Sequence, residues 1–211
     1  MRIGIIGSGK IGSTVARLFA GAGHDVAIAN SRGPDTLTGL VEEVEGNARA
    51  VTVEQAASFG DVVLVAIPFG AYRDLPAEAL AGRVVIDAMN YYASRDGNIP
   101  ELDDDSTTSS ELLAAHVPGA KVVKAFNTMQ WEMLRDRGKP GGGNDRLALF
   151  LAGDDADAKQ AVHGLIEEIG FSPVDTGSLG EGGRRQQPGS PIYAEPVTES
   201  EGRGALGGMD E

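Results

Sequence analysis

The feature that most constrains this chain is a glycine-rich hexapeptide set directly after an apolar run. Ile3-Gly4-Ile5-Ile6 shows no polar alternation and reads as a strand covered on both faces. Gly7-Ser8-Gly9-Lys10-Ile11-Gly12 follows without a gap, and a helical pattern starts near Lys10 and is stopped by Gly23. The G-x-G-x-x-G spacing is weak by itself in a chain with 30 glycines. Its place between a strand and a helix, inside a βαβ unit of about 30 residues, is what makes it informative. Gly7 permits a tight turn, Gly9 lets backbone approach a pyrophosphate, and Gly12 lets the helix pack close to the strand. The helix start then presents unpaired N–H groups to phosphates, with Ser8, Lys10 and Ile11 completing the loop. The loop predicts a dinucleotide site.

The rest of the chain repeats the same alternation. Strands are expected at 26–29, 48–51, 62–67, 84–86, 121–126 and 147–152. Between them fall a helix at 36–44 with Asp35 as its cap, and one through His116 opened by the capping box Thr108-Ser109-Ser110-Glu111. A third, capped by Asp154 and ended by Gly170, lines up Ala158, Ala161, Val162, Leu165, Ile166 and Ile169 on one face. This order predicts an α/β fold of the Rossmann type: a doubly wound, mostly parallel sheet with right-handed crossovers. Apolar types make up 41% of 211 residues, enough for a sizeable core. Residues 1–176 are expected to form a dinucleotide-binding domain with an acceptor crevice. Residues 177–211, with nine glycines and three prolines, are expected to form a C-terminal arm with a partly flexible end. Within it, Arg184-Arg185-Gln186-Gln187-Pro188-Gly189-Ser190-Pro191-Ile192-Tyr193 reads as an ordered stretch lying over a pocket or a partner subunit.

The end of the second strand selects the dinucleotide. NAD sites place Asp or Glu about 20 residues after the glycines, on the ribose 2′-hydroxyl. Here Asn30-Ser31-Arg32 stands instead, so Ser31 and Arg32 suit a 2′-phosphate and NADP(H) is the expected cofactor. Ligands in such sheets lie beyond the carboxyl ends of strands. Those ends are Ile67-Pro68-Phe69, Ala88-Met89-Asn90-Tyr91-Tyr92 and Ala125-Phe126-Asn127-Thr128-Met129, which should line one crevice with the glycine loop. Pro68 and the apolar residues suit a flat nicotinamide ring, and Asn90 and Asn127 suit its carboxamide or ribose.

Composition excludes several function classes. Eighteen basic against 31 acidic residues leave a net charge of −13, which repels nucleic acid and anionic membranes. There are no cysteines for disulfides, zinc–thiolate sites or nucleophilic catalysis. No targeting segment or membrane span is expected, and the chain reads as cytoplasmic. His24, His116 and His163 read as surface residues with no carboxylate at a recognisable spacing; Asp103-Asp104-Asp105 reads as a solvated loop rather than a metal site. No dedicated catalytic side chain is expected, with Asn127 at most orienting. A hydride passing between two stacked rings requires none.

With those residues in view, the chain resembles the NADPH-dependent reductases of coenzyme F420 and, related to them, the NADPH-binding domains of the STEAP ferric reductases. The likeness spans about residues 1–175 and rests on Gly7 to Gly12, Asn30-Ser31-Arg32, Ala66-Ile67-Pro68-Phe69, Asp87-Ala88-Met89-Asn90 and Lys124-Ala125-Phe126-Asn127-Thr128. It implies direct hydride transfer between nicotinamide C4 and deazaflavin C5 in a homodimer. Ser31 and Arg32 would hold the 2′-phosphate, and Ile67, Pro68, Asn90, Ala125 and Asn127 would lie near the nicotinamide half. The chain departs from the deazaflavin reductases in carrying Asn127 where they have a histidine, and in its Gly/Pro-rich arm. Another flat flavin-type acceptor, or a non-catalytic NADP(H)-binding redox sensor, therefore stand as alternatives. A β-hydroxyacid dehydrogenase ranks last, because about 35 residues after Asp175 cannot supply its helical second domain.

Overall fold

Strands that are apolar on both faces need cover on both sides. The computed structural model, which describes residues 1–143 and 145–209, supplies that cover around an eight-stranded sheet. The strands are β1 (Arg2–Ile6), β2 (Asp25–Ala29), β3 (Ala48–Ala50), β4 (Val62–Val65), β5 (Val84–Asp87), β6 (Lys121–Ala125), β7 (Ala148–Gly153) and β8 (Ser172–Asp175), in the order β3-β2-β1-β4-β5-β6-β7-β8. β1 to β6 run parallel, β7 is antiparallel to β6, and β8 is parallel to β7. The chain winds outward from β1 to β3 and then returns to the other side of β1 at β4. The topological switch point therefore lies between the carboxyl ends of β1 and β4. The expected doubly wound, mostly parallel sheet is the one that forms.

The helices are α1 (Lys10–Gly21), α2 (Thr38–Glu43), α3 (Val53–Phe59), α4 (Ala77–Leu80), α5 (Ala93–Asp96), α6 (Pro100–Asp103), α7 (Ser109–His116), α8 (Trp131–Arg137), α9 (Ala156–Glu168), α10 (Glu181–Arg185) and α11 (Glu199–Gly207). Alternation along each strand sends successive side chains to opposite faces. Ile3, Ile5 and Leu64 pack with Val15 and Phe19 of α1, Leu134 of α8 and Val162, Leu165 and Ile166 of α9. Ile6, Val63 and Val65 pack with Ala56 and Ala57 of α3 and Leu113 of α7. A smaller cluster of Phe150, Val174, Ile192 and Leu206 joins the arm to β7 and β8. The last two residues of the arm, whose end is expected to be flexible, lie outside the described residues.

Several local expectations change. Asp35 does not cap a helix: a 3-10 turn, Pro34–Leu37, starts there behind Gly33, and α2 follows only from Thr38. Pro34 has no N–H to offer and its fixed φ suits that first turn. The cap of α9 is Asp155, accepting from the Ala158 N–H at 2.8 Å, whereas Asp154 accepts from the Leu179 N–H at 3.0 Å and so anchors the arm. Strand pairing also stops before Ile67 and Phe126, the latter turning out of β6 with φ 67°. The periodicity reading missed further elements, α3 and β8 among them. α3 carries a Thr52/Gln55 capping box, and β8 contains Pro173, tolerated because β8 is an edge strand.

Candidate functional site

The glycine loop leaves β1 at the switch point, and each glycine there has a separate steric reason. Gly7 has φ 114°, and a Cβ on it would lie 2.2 Å from the Ala66 carbonyl oxygen. A Cβ on Gly12 would lie 1.9 Å from the carbonyl oxygen of Gly7, so α1 can sit against the loop only if this residue is glycine. Gly9, the N-cap of α1, has ordinary φ and nothing within 4 Å of where its Cβ would be. No side chain caps α1. Its first-turn N–H groups are therefore left for a ligand, and the open space at Gly9 is where an anion would approach.

A cleft of about 330 Å³ runs from Gly7-Ser8-Gly9 past Asn30, Ser31 and Arg32 to Ile67, Pro68 and Asp74. Asn30 is spent on holding its own turn. Its Nδ2 donates to Ser8 Oγ at 3.1 Å and Thr36 Oγ1 at 3.0 Å, and its Oδ1 accepts from the Arg32 N–H at 2.9 Å. Ser31 and Arg32 are left exposed on the rim with their side chains free to meet a ligand.

On the other side of the loop, Lys10 and Ile11 open a second cavity of about 300 Å³, walled by Ala88, Asn90, Asn127 to Glu132, Tyr193 and Ala194. Two asparagines from neighbouring strand ends grip each other there. Asn127 Nδ2 donates to Asn90 Oδ1, and Asn90 Nδ2 donates to the Asn127 carbonyl oxygen, both at 3.0 Å. The arm closes over this pair: Asn127 Nδ2 also donates to the Gln186 carbonyl at 2.7 Å, and the Ala194 N–H donates to the Thr128 carbonyl at 2.8 Å. Asn90 Nδ2 reaches Tyr193 Oη at 3.3 Å, and the hydroxyls of Tyr193 and Tyr92 are hydrogen-bonded. Burial, and then the Tyr92 hydrogen bond, push the Tyr193 phenol far above its ordinary range. The buried Asn127 Oδ1 has no hydrogen-bond partner among the described residues, an acceptor awaiting a donor such as a carboxamide N–H.

Behind this wall sits a buried ion pair. Lys124 Nζ lies 3.2 Å from Asp87 Oδ2 and also donates to the Met89 carbonyl. Asp87 Oδ2 accepts from Ser110 Oγ at 2.7 Å, and its Oδ1 accepts from the Met89 N–H at 2.9 Å. With these bonds the ends of β5 and β6 are locked together just where Asn90 and Asn127 emerge.

The structure thus brings Gly7, Ser8, Gly9, Ser31, Arg32, Ile67 and Pro68 together around one cleft and Lys10, Ile11, Asn90 and Asn127 around the adjoining cavity. Ile67 and Pro68 face the first of these, not the asparagine pair. Ala125, expected beside the nicotinamide, lines neither; it is fully buried in the core, as are Phe126 and Phe69. Tyr91 turns its hydroxyl to Asp103 Oδ1 at 2.7 Å. Two of the three histidines do have carboxylate partners, while His116 Nε2 meets the Leu75 carbonyl. The buried His24 pairs with Glu168 at 2.7 Å at the amino-terminal end of the sheet, away from the cleft, and His163 lies 3.4 Å from Glu167. Spacing could not show a pair separated by 144 residues. The sequence reading also passed over Trp131, whose ring lies 5.2 Å from Lys10 Nζ, the Lys124–Asp87 pair and Tyr193 as a wall residue. Only the ordered look of residues 184–193 pointed toward the last. Among the described residues no cluster of His, Asp or Glu could hold a metal, and no helix is long and apolar enough to cross a membrane.

A glycine loop at the switch point, an uncapped helix start and a cleft along the strand ends define a dinucleotide-binding protein of the Rossmann class. A crystal structure of a hypothetical protein from Sinorhizobium meliloti is 36% identical, with a TM-score of 0.82 over 94% of this chain and 95% of that one. A candidate F420-dependent NADP reductase from Arthrobacter is 29% identical, with a TM-score of 0.72 over 85% of this chain and 86% of that one. The rat metalloreductase STEAP3 is 31% identical over 84% of this chain, which spans only 34% of that protein's length. The family model described as NADP oxidoreductase, coenzyme F420-dependent, matches residues 2–91 of this chain.

Proposed function

We propose that this chain is an NADPH-dependent oxidoreductase that passes a hydride between NADP(H) and a flat deazaflavin- or flavin-type acceptor, with coenzyme F420 the favoured second substrate. The observation that carries the reading is the end of β2: Asn30 is tied to Ser8 and Thr36, and Ser31 and Arg32 line the cleft where NAD sites put a carboxylate. The family model, and the name given to the Arthrobacter relative, support the acceptor class. A homodimer and a cytoplasmic location belong to the same proposal.

In this reading Gly7, Gly9 and the first turn of α1 bind the pyrophosphate through backbone N–H groups, while Gly12 keeps the helix close enough to do so. Ser31 Oγ and the Arg32 guanidinium hold the 2′-phosphate, and Ser8 and Lys10 flank the phosphates. Ile67 and Pro68 cover the dinucleotide along the cleft. Asn127 Oδ1 accepts from the carboxamide, with Asn90 holding Asn127 in place. Bound NADPH supplies the hydride. The protein's contribution is to hold two rings in register and keep water out, which is where such catalysis gains most of its rate.

The test is an assay of the purified chain with NADPH and oxidised F420, following deazaflavin reduction, with NADH as the control. Rapid reduction by NADPH and little by NADH is the expected result. No reduction of F420 or of a flavin, in a sample shown to bind NADPH, would overturn the reading. It would favour a non-catalytic redox sensor, whose supporting observation is the arm's grip on Asn127 and Thr128.

A further inference from the structure

We infer that Tyr193 is the residue of this chain that touches the flat acceptor, its hydroxyl donating a hydrogen bond to a carbonyl oxygen or ring nitrogen of that molecule. The inference rests on the hydride-transfer reading and adds to it the group that answers the charge the hydride brings.

The argument starts from what a phenol can do: it has one hydrogen to donate and two lone pairs to fill. Asn90 is oriented on both sides, because its Oδ1 accepts from Asn127 and its backbone carbonyl accepts from Arg95 Nη2 at 2.6 Å. Its Nδ2 can therefore only donate to Tyr193 Oη. The second partner of Tyr193 is the Tyr92 hydroxyl. Tyr92 is 37% exposed, and its ring lies 5.0 Å from the Arg95 guanidinium carbon. Tyr193 is half-buried, and burial works against its ionisation. Either hydroxyl can donate in the bond they share, so an acceptor atom entering the cavity can draw the Tyr193 hydrogen to itself while Tyr92 takes the donor's part. With Asn90 and Tyr92 then both donating to Tyr193 Oη, its own hydrogen is left for a ligand in the cavity that Tyr193 walls together with Asn90 and Asn127.

The chemistry in that cavity needs such a donor. A C–H bond of the nicotinamide breaks, the hydride's electron pair forms a new bond on the acceptor ring (C–H on a deazaflavin, N–H on a flavin), and a ring π pair is displaced onto a conjugated oxygen or nitrogen. A proton from water then completes the reduction. Tyr193 keeps its own proton throughout and donates a hydrogen bond to the atom where charge builds, an interaction that strengthens as the charge grows. Tyr92 is a positioning residue, acting through Tyr193.

A latch for the arm is the competing role, and the structure separates the two. Gln186 and Ala194 hold the arm through backbone groups that a Tyr193→Phe change leaves in place. The test compares wild type, Tyr193→Phe and Tyr92→Phe as full chains. It measures the melting midpoint, the NADPH Kd from the fluorescence of Trp131, the chain's single tryptophan, and single-turnover reduction of F420 and of flavin mononucleotide. Expected for Tyr193→Phe is hydride transfer slower by about 10- to 100-fold, in the range of a lost charge-stabilising donor, with midpoint and NADPH Kd unchanged. Tyr92→Phe should show a smaller loss in the same step. Unchanged transfer and acceptor Kd in Tyr193→Phe, or a loss confined to midpoint and NADPH Kd, would overturn the inference. If wild type reduces neither acceptor, the hydride-transfer reading fails by itself. Tyr193 is then judged by flavin mononucleotide binding in the presence of NADP⁺. A Kd weakened about fivefold or more in Tyr193→Phe supports the contact, about 1 kcal/mol in binding; an equal Kd, or no binding by wild type, overturns it.

Discussion

Replacing Gly9 and Gly12 separately by alanine should divide binding from folding. The added methyl at position 12 would lie 1.9 Å from the Gly7 carbonyl oxygen, where ordinary contact begins at 3.4 Å. α1 must then move away from the loop by roughly 1.5 Å, a strain that overpacked cores relieve at about 1–3 kcal/mol or more. For a chain of this length that lowers the melting midpoint by about 2–4 °C per kcal/mol. At position 9 the methyl meets nothing within 4 Å, and φ is −71°, comfortable for alanine. The loss of a glycine N-cap and the gain from a stiffer unfolded chain are both below about 1 kcal/mol and oppose each other. Gly9→Ala should therefore melt within about 2 °C of wild type, yet its methyl occupies the space left for the pyrophosphate, and NADP⁺ affinity should fall at least about tenfold, or 1.4 kcal/mol. Differential scanning calorimetry and titration of NADP⁺ against Trp131 fluorescence read the two effects. Undiminished NADP⁺ affinity in Gly9→Ala would refute the reasoning, since the phosphates would then approach elsewhere.

Arg32→Ala should raise the KM for NADPH by about 10- to 30-fold, the lower part of the range for a charge-assisted hydrogen bond because the side chain is exposed, and leave NADH use nearly unchanged. Equal losses with both cofactors would remove Arg32 from the 2′-phosphate. Lys124→Met leaves the fully buried Asp87 carboxylate with only Ser110 and the Met89 N–H as donors, and should cost about 3–5 kcal/mol in urea unfolding. Adding Asp87→Asn should recover a large part of that loss; no recovery would mean that the cost lies in packing. Burial and Tyr92 raise the folded-state Tyr193 value above that of the unfolded chain. The stability this neutral phenol contributes is fully present below about pH 10 and is lost as pH rises from there toward the folded value. The stability difference between wild type and Tyr193→Phe should thus be flat from about pH 7 to 9 and shrink in more alkaline solution.

How much could be read without coordinates follows from how far apart the determinants lie. The glycine loop, Ser31-Arg32 and the Thr108/Glu111 capping box are each set within a few residues of chain; the structure forms the loop and the box and puts Ser31 and Arg32 on the rim of the cleft. Asn90 and Asn127 lie 37 residues apart, but both follow strands, so the rule about carboxyl ends placed them in one crevice before their mutual hydrogen bonds were seen. Where the reading slipped, local pattern and packing disagreed. Ala125 looked like part of a strand-end motif, yet strand alternation turns it into the core while Asn127, two residues on and past the turn at Phe126, reaches the cavity. Asp154 looked like a cap because it precedes the helix, but the arm claimed it and left the cap to Asp155.

By itself the sequence determined the class of sheet, the strand that opens the site, the helix that starts at the glycine loop and the absence of a carboxylate at the second strand's end. All of these follow from backbone geometry over short spans, where residue type and spacing decide. Only the tertiary structure decided that Lys124 pairs with Asp87 beneath the site, that Gln186 and Ala194 clamp the arm onto Asn127 and Thr128, and that Tyr193 closes the cavity. Those contacts join segments tens to a hundred residues apart. They exist because burial brings polar groups together and each must then find a partner, and no local pattern along the chain records which partner that is.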